Sequence, residues 1–337
     1  MREVVLEHPR DVRIREVPVP PAPLDPGLAR VRLRWAGVCG SDLAAYRGTS
    51  PLVSYPRVLG HELLVDVLEA PGAPQLAGRR AVVEPLLPCG TCRACRLGRP
   101  NCCANLRVLG VHVDGGMRET TLIATRQLYG VPEGLPDEVA VLAEPTSIAY
   151  QAVRRADIQA GGVAVVLGAG TIGLLIAQLL VRARGCRALV HDVDPWRLQI
   201  AARIGATPLE GDAQGVLTRV QQETGGELAA VVFEATGHPA CTALTTALVA
   251  HAGRIVCVGW NAAAVAIDTV TLMRKEIDLL GSRNSVAAFP PVLQLLADGA
   301  IDAAAMITHR LDLADAHRAL RLLDQGEPAL KILVAGH

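Results

Sequence analysis

Aromatic side chains are scarce, with two phenylalanines, three tryptophans and four tyrosines making up 3% of 337 residues. Nucleic-acid binders stack bases on aromatic faces along a basic groove. The charge for such a groove is missing too, because 33 basic side chains are matched by 33 acidic ones. Neither a nucleic acid nor an anionic membrane surface is expected as a partner. Lysine is nearly absent, with Lys275 and Lys331 alone among the arginines, and no function is read from that. Long apolar runs are lacking as well. The strongest, "IGLLIAQLLV", falls well short of the about 20 residues that a membrane-spanning helix needs. The opening "MREVVLEHPRDVRIREVPVP" is charged throughout and has no apolar core of the kind a secretory signal requires. A soluble protein of the cytoplasm is expected.

What is present is apolar bulk, 50% of the chain, and a length that suits about two domains. The first 145 residues are rich in Pro and Gly, with short alternating runs such as "VRIREVPV" and "ARVRLRWAG" that suit antiparallel strands. From Ala160 the texture changes. "VAVVLG" reads as a buried strand, "TIGLLIAQLLVRAR" as a helix, "CRALVHD" as a strand and "PWRLQIAARIG" as a helix. "LAAVVFEATG", a helix over about 240–250, and the strands "GRIVCVG" and "IDLLGS" follow. Strands apolar on both faces and alternating with helices predict a parallel sheet covered on both sides. After Arg283 a helix in "FPPVLQLLADG", a strand at "MITHRL", a helix in "LADAHRALRLLDQG" and a strand "LKILVAG" resemble a partner of the first segment. The expectation is an α/β nucleotide domain inserted into a β-rich one.

"VAVVLGAGTIG" places Gly168, Gly170 and Gly173, with Thr171 and Ile172 between, in a G-x-G-x-x-G that leaves a strand and opens a helix. Such glycines permit a tight turn and close approach of a pyrophosphate to the free N–H groups of a helix N-terminus. Asp192 follows at the end of the next strand, where a carboxylate can accept hydrogen bonds from an adenosine ribose and repel a 2′-phosphate. NAD is therefore expected over NADP, with Arg197 nearby as a group that softens the preference.

Nine cysteines in a reducing compartment point to metal ligands or redox groups rather than disulfides. Cys89, Cys92, Cys95 and Cys103 follow C-x2-C-x2-C-x7-C, a spacing that wraps four thiolates round one ion and leaves no open position, as in a structural zinc site. Cys102 can replace Cys103 as the fourth ligand, although Cys103 is preferred. A redox C-x-x-C pair is the competing reading, but it needs no further clustered thiols. A second set is scattered: Cys39 in "GVCGSD", His61 in "LGHE" and Glu144 in "LAEPTS". One thiolate, one imidazole and one carboxylate would leave zinc a fourth position for substrate.

Together these motifs resemble the zinc-dependent medium-chain dehydrogenases along essentially the whole chain. "GVCGSD", "GHE", the four-cysteine lobe, "GAGTIG", "EATG" and the final strand–helix–strand order all match. A glutamate in "AEPTS", where typical alcohol dehydrogenases carry a cysteine, is similar to the polyol, threonine and sugar-acid branch. "SYPRVLGHE", "GVHVDGGM" and "GSRNS" followed by "FP" resemble L-galactonate and L-idonate type oxidoreductases within it.

The resemblance implies a GroES-like catalytic domain over 1–148 and 284–337, with the zinc lobe at about 88–104, and a Rossmann NAD-binding domain over 149–283. It implies one catalytic and one structural zinc. Cys39 and His61 would be ligands of the first, Glu144 the third directly or through water, and Glu62 an alternative. Asp42 would fix the tautomer of His61, and Ser41 would take the proton of the substrate oxygen. Gly237 in "EATG" joins the cofactor residues. Many relatives carry a relay histidine two residues after this aspartate, where this chain has Ala44. The activity implied is hydride transfer between NAD and a secondary alcohol of a polyol or sugar acid, with threonine or a simple alcohol as the alternative. Tyr46 and Arg283 are candidate substrate contacts; His112 and Asp114 would lie near the pocket without a catalytic part. A homodimer or homotetramer is implied, with edge-strand pairing through "RIVCVGW" as its contact.

Overall fold

The computed structural model describes residues 1–20, 23–260 and 263–336. The chain forms two compact units, one of Met1–Glu144, Phe289–Ala297 and Met306–His337, the other of Pro145–Ala288 and Asp298–Ala305.

In the first unit the strand Leu28–Val38 is the spine of a seven-stranded sheet. Glu62–Glu69 lies antiparallel on one side of it, with Gly37 opposite Glu62, and Lys331–Ala335 antiparallel on the other, with Ile332 opposite Val38. The alternation of Val31 and Leu33 with Arg30, Arg32 and Arg34 turns one face inward, where they join Leu63, Val65, Val67, Ile332 and Val334 in the core. This register brings residues from three distant parts of the sequence to the carboxyl end of one strand. The expected pair of antiparallel strands at the N-terminus is present as Arg2–His8 against Asp11–Glu16. The cysteine-rich lobe is built on a small ladder, Leu86–Leu87 against Arg107–Val108, over a cluster of Leu86, Cys103 and Leu106.

The second unit holds a six-stranded sheet in the order Thr207–Leu209, Arg187–His191, Val163–Leu167, Ala229–Glu234, Val249–Cys257, Asp278–Gly281, every pair parallel. In order of sequence the strands lie 3-2-1-4-5-6, so the chain reverses its winding between the first and the fourth; ligands bind at the carboxyl ends flanking such a switch point. Val165, Val166, Leu167, Leu189, Val232, Phe233, Ile255 and Val256 are fully buried, as strands covered on both faces require. One expectation is corrected here. The strand carrying "RIVCVG" is not an edge: Val249–Cys257 is paired on both sides, because "IDLLGS" adds Asp278–Gly281 as a sixth strand outside it. The helix after the glycine turn is α-helical only over Thr171–Gln178, and Leu179–Ala183 widens into a π-helical turn.

Candidate active site

Val38 ends the spine strand, and the next residue, Cys39, caps the helix Gly40–Tyr46. The Cys39 N–H donates to Oδ2 of Asp42 at 2.9 Å, a side-chain answer to one of the amides a helix start leaves unpaired. That bond turns the other carboxylate oxygen, Oδ1, toward Nδ1 of His61 at 3.6 Å. Both atoms are buried, and neither has a hydrogen-bond partner among the described residues. The opposite ring nitrogen, Nε2, lies 3.4 Å from Ser41 Oγ. Ligand atoms of Cys39, His61 and Glu62 lie within 4.8 Å of one another.

Glu62 has a partner that the sequence did not disclose. Lys331 Nζ donates to both of its oxygens, at 2.7 and 2.6 Å, and to the carbonyl of Val38 at 3.2 Å, with both side chains 1% exposed. Gly37 makes the contact possible, since a Cβ there would stand 1.9 Å from Glu62 Oε2. The only available signal was compositional: Lys331 is one of two lysines in a chain that otherwise uses arginine.

Glu144 is buried at the start of the helix Ala143–Ala156 and is not one of the three converging ligands. Its charge is nevertheless felt there. Burial pushes its carboxyl up to about 7, with Glu62 adding to the rise and His61 and Lys331 opposing it. Burial likewise raises Asp42, against the pull of His61. For His61, burial favours the neutral ring, but Asp42, Cys39 and Glu144 outweigh it and hold the imidazole well above its ordinary range. Burial acts to lower Lys331, and Glu62 reverses that. Three carboxyl groups and a thiol thus crowd one fixed cation and one imidazole. A divalent cation would relieve that imbalance, and sulfur, nitrogen and oxygen donors with a position to spare are what zinc takes in a reactive site. The residues present fit zinc.

In the lobe, the sulfurs of Cys89, Cys92, Cys95 and Cys103 also lie within 4.8 Å of one another, and Cys102 is outside the group. The short turn Pro100–Cys102 sends Cys103 inward against Leu86 and Leu106. Backbone N–H groups of Thr91 and Cys92 bring the Cys89 thiol down to about 6, whereas burial and the neighbouring Cys92 push Cys95 up to about 12. Four sulfurs converging within that distance suit one metal ion held in a closed site.

At the glycine turn the three glycines do different work. Gly168 sits at φ +102°, and a Cβ on Gly173 would lie 1.8 Å from the Gly168 carbonyl oxygen, so the fold itself requires both. A Cβ on Gly170 would meet nothing within 4 Å. That bare Cα caps the helix Thr171–Gln178 and leaves room for a ligand at its N-terminus. Thr171 and Ile172 are half-buried in the first turn. Asp192 accepts from the N–H of Ala169 at 2.7 Å and of Asp194 at 2.9 Å, which ties the acidic residue to the turn. Arg197 leans on it at 3.9 Å and on Asp194 at 3.5 Å. Gly237 follows the adjacent strand at φ +68° and donates to the buried carboxylate of Glu234 at 3.0 Å. Of the two candidate substrate contacts, Tyr46 is buried in the last turn of its helix, with the Arg10 guanidinium 5.9 Å above its ring, and Arg283 is exposed after the strand Asp278–Gly281. Asp114 accepts from Arg57 at 3.1 Å, and His112 is half-buried beside it.

Comparison with known proteins bears on this arrangement. Residues 25–133 match the alcohol dehydrogenase GroES-like domain, and residues 171–298 match the zinc-binding dehydrogenase domain. The chain is 37% identical to an uncharacterized zinc-type alcohol dehydrogenase-like protein of Haemophilus influenzae, covering 91% of this chain and 90% of that one. It is 34% identical to the L-galactonate-5-dehydrogenase of Escherichia coli, over 93% and 92% of the two. The crystal structure of the Escherichia coli alcohol dehydrogenase RspB, complexed with NADH, superposes with a TM-score of 0.90 at 32% identity, over 99% of both chains.

Proposed function

The chain belongs to the zinc-type alcohol dehydrogenases, with their GroES-like and zinc-binding dehydrogenase domains, and from that premise we propose that it interconverts a secondary alcohol of a polyol or sugar acid with its ketone, using NAD. The observation that carries this reading is the convergence of Cys39, His61 and Glu62 beside the buried, unpartnered Asp42–His61 pair. Similarity to an L-galactonate-5-dehydrogenase supports the substrate class.

Cys39 and His61 would hold a zinc ion with a carboxylate as third ligand, and Cys89, Cys92, Cys95 and Cys103 a second, closed one. What zinc supplies in the open site is Lewis acidity toward an alcohol oxygen, which eases loss of its proton and then of hydride. The protein's own groups do the rest. Asp42 faces Nδ1 of His61, which reserves the Nε2 lone pair for the metal. Lys331 pairs with both oxygens of Glu62; Glu144 would be the third ligand directly or through water, with Glu62, whose oxygen already converges with Cys39 and His61, as the alternative. Ser41, on the Nε2 side of the ring, takes the proton from the alcohol. Ala44 offers no imidazole beyond it, so water or the ribose of a bound NAD would have to carry the proton onward. The Asp192 carboxylate selects an unphosphorylated ribose, tempered by Arg197.

No helix among the described residues is long and apolar enough to cross a membrane. In this reading the enzyme works in the cytoplasm as a homodimer or homotetramer. The test is NAD reduction across a panel of polyols, aldonates and their phosphates. Turnover of at least one polyhydroxy substrate is expected; turnover confined to threonine or simple alcohols would replace the sugar-acid reading.

A further inference from the structure

On the first unit a pocket of about 190 Å³ is lined by Arg10, Asp11, Val12, Tyr46, His317 and Arg321. Its charges do not cancel. Asp324 is engaged on both oxygens, by Arg10 at 2.6 Å and by Arg47 at 2.7 Å. Asp11 is held by Arg13 at 2.9 Å. His317 and Arg321 lie one turn apart on the helix Ala316–Gln325, which puts them on one face. Both line the pocket without a hydrogen-bond or ion-pair partner among the described residues. Among the lining residues Arg10 and Arg321 are cationic against the single carboxylate of Asp11, which Arg13 already engages.

The backbone also positions the pocket. Arg10 sits in the left-handed region at φ +65°, a conformation that costs a side-chain-bearing residue about 1 kcal/mol and that glycine would adopt without strain. Its N–H donates to the Tyr46 carbonyl at 2.8 Å, and its guanidinium lies over the Tyr46 ring, an arrangement that orients the fork. A strained turn that carries an arginine, a ring that aims it, and opposite them an unpaired guanidinium with an imidazole one turn away are the parts of an oxyanion site. We propose that this pocket binds a phosphate group, either as inorganic phosphate or as the phosphate of a small monoester. The site is separate from the candidate catalytic residues, because Tyr46 and Cys39 stand at opposite ends of the helix Gly40–Tyr46, roughly 10 Å apart along its axis.

The experiment is calorimetric titration of the full-length protein with inorganic phosphate and, separately, with glycerol 1-phosphate. The proteins compared are the wild type, Arg321→Ala, the double variant Arg321→Ala with His317→Gln, and the control Arg318→Ala. Arg318 lies on the same helix but pairs with Asp315. Neither Arg321 nor His317 holds another residue, so the variants are expected to keep the wild-type melting temperature. Saturable binding at one site per chain is expected, weakened about tenfold by Arg321→Ala, weakened further in the double variant, and unchanged by Arg318→Ala. Phosphate bound at the glycine turn is common to all four proteins and drops out of the comparison. Tighter binding of the ester identifies a phosphorylated metabolite, and equal or tighter binding of the free ion identifies inorganic phosphate. Equal affinity in the wild type and the double variant, or no saturable binding by the wild type, overturns the proposal.

Discussion

Lys331 is the residue on which the electrostatics of the candidate catalytic cluster turns. Its ammonium reaches both oxygens of Glu62 and the Val38 carbonyl with almost no exposure, so it is a buried cation whose partners are all supplied by the protein. Removing one member of such a pair strands the other, at a cost of about 3–5 kcal/mol, whereas removing both is far less costly. Lys331→Met is therefore expected to lower the chemical-denaturation midpoint strongly and to impair turnover. Combining it with Glu62→Gln should restore most of the stability, as a double-variant cycle will show. Equal midpoints for Lys331→Met and the wild type would mean that the pair contributes no net stability.

At the scale of the element, the strand-to-helix junctions hold the chemistry, and their glycines and cysteines separate by role. A Cβ at Gly170 has open space whereas one at Gly173 collides with backbone. Gly170→Ala is accordingly expected to fold with wild-type stability and to weaken NAD affinity by about tenfold or more, while Gly173→Ala lowers the melting temperature itself. Dye-monitored melting beside NAD titration distinguishes the two. The cysteine sets divide in the same way. Cys39→Ser should abolish turnover with the fold intact, and Cys92→Ser should chiefly lower thermal stability. Loss of activity at unchanged stability in Cys92→Ser would reverse that division.

At the scale of the whole molecule, Asp278–Gly281 is one of the two borders of the six-stranded sheet, without a further strand beside it among the described residues, and Leu279 on it is 42% exposed. An uncovered edge with an apolar residue invites pairing with another chain. If subunits of this enzyme meet there, Leu279→Lys is expected to halve the particle mass measured by light scattering without loss of secondary structure; an unchanged mass would locate the contact elsewhere.

The sequence by itself determined what short stretches of backbone dictate. A G-x-G-x-x-G between an apolar strand and a helix, and five cysteines within fifteen positions, are legible because the atoms involved are neighbours along the chain and their geometry follows from turns of a few residues. The alternation of strand and helix was enough to declare the doubly wound sheet and the β-rich unit around it. Tertiary structure alone decided the rest. Lys331 meets Glu62 across 269 positions through strand register, which no local pattern encodes. Sheet order made Asp278–Gly281 the edge in place of the "RIVCVG" strand. Packing against Leu86 and Leu106 drew Cys103 inward and left Cys102 out. The helix Gly40–Tyr46 carried Tyr46 away from Cys39 and under Arg10. Contacts of this kind are set by which surfaces bury one another, a property of the whole chain rather than of any segment of it.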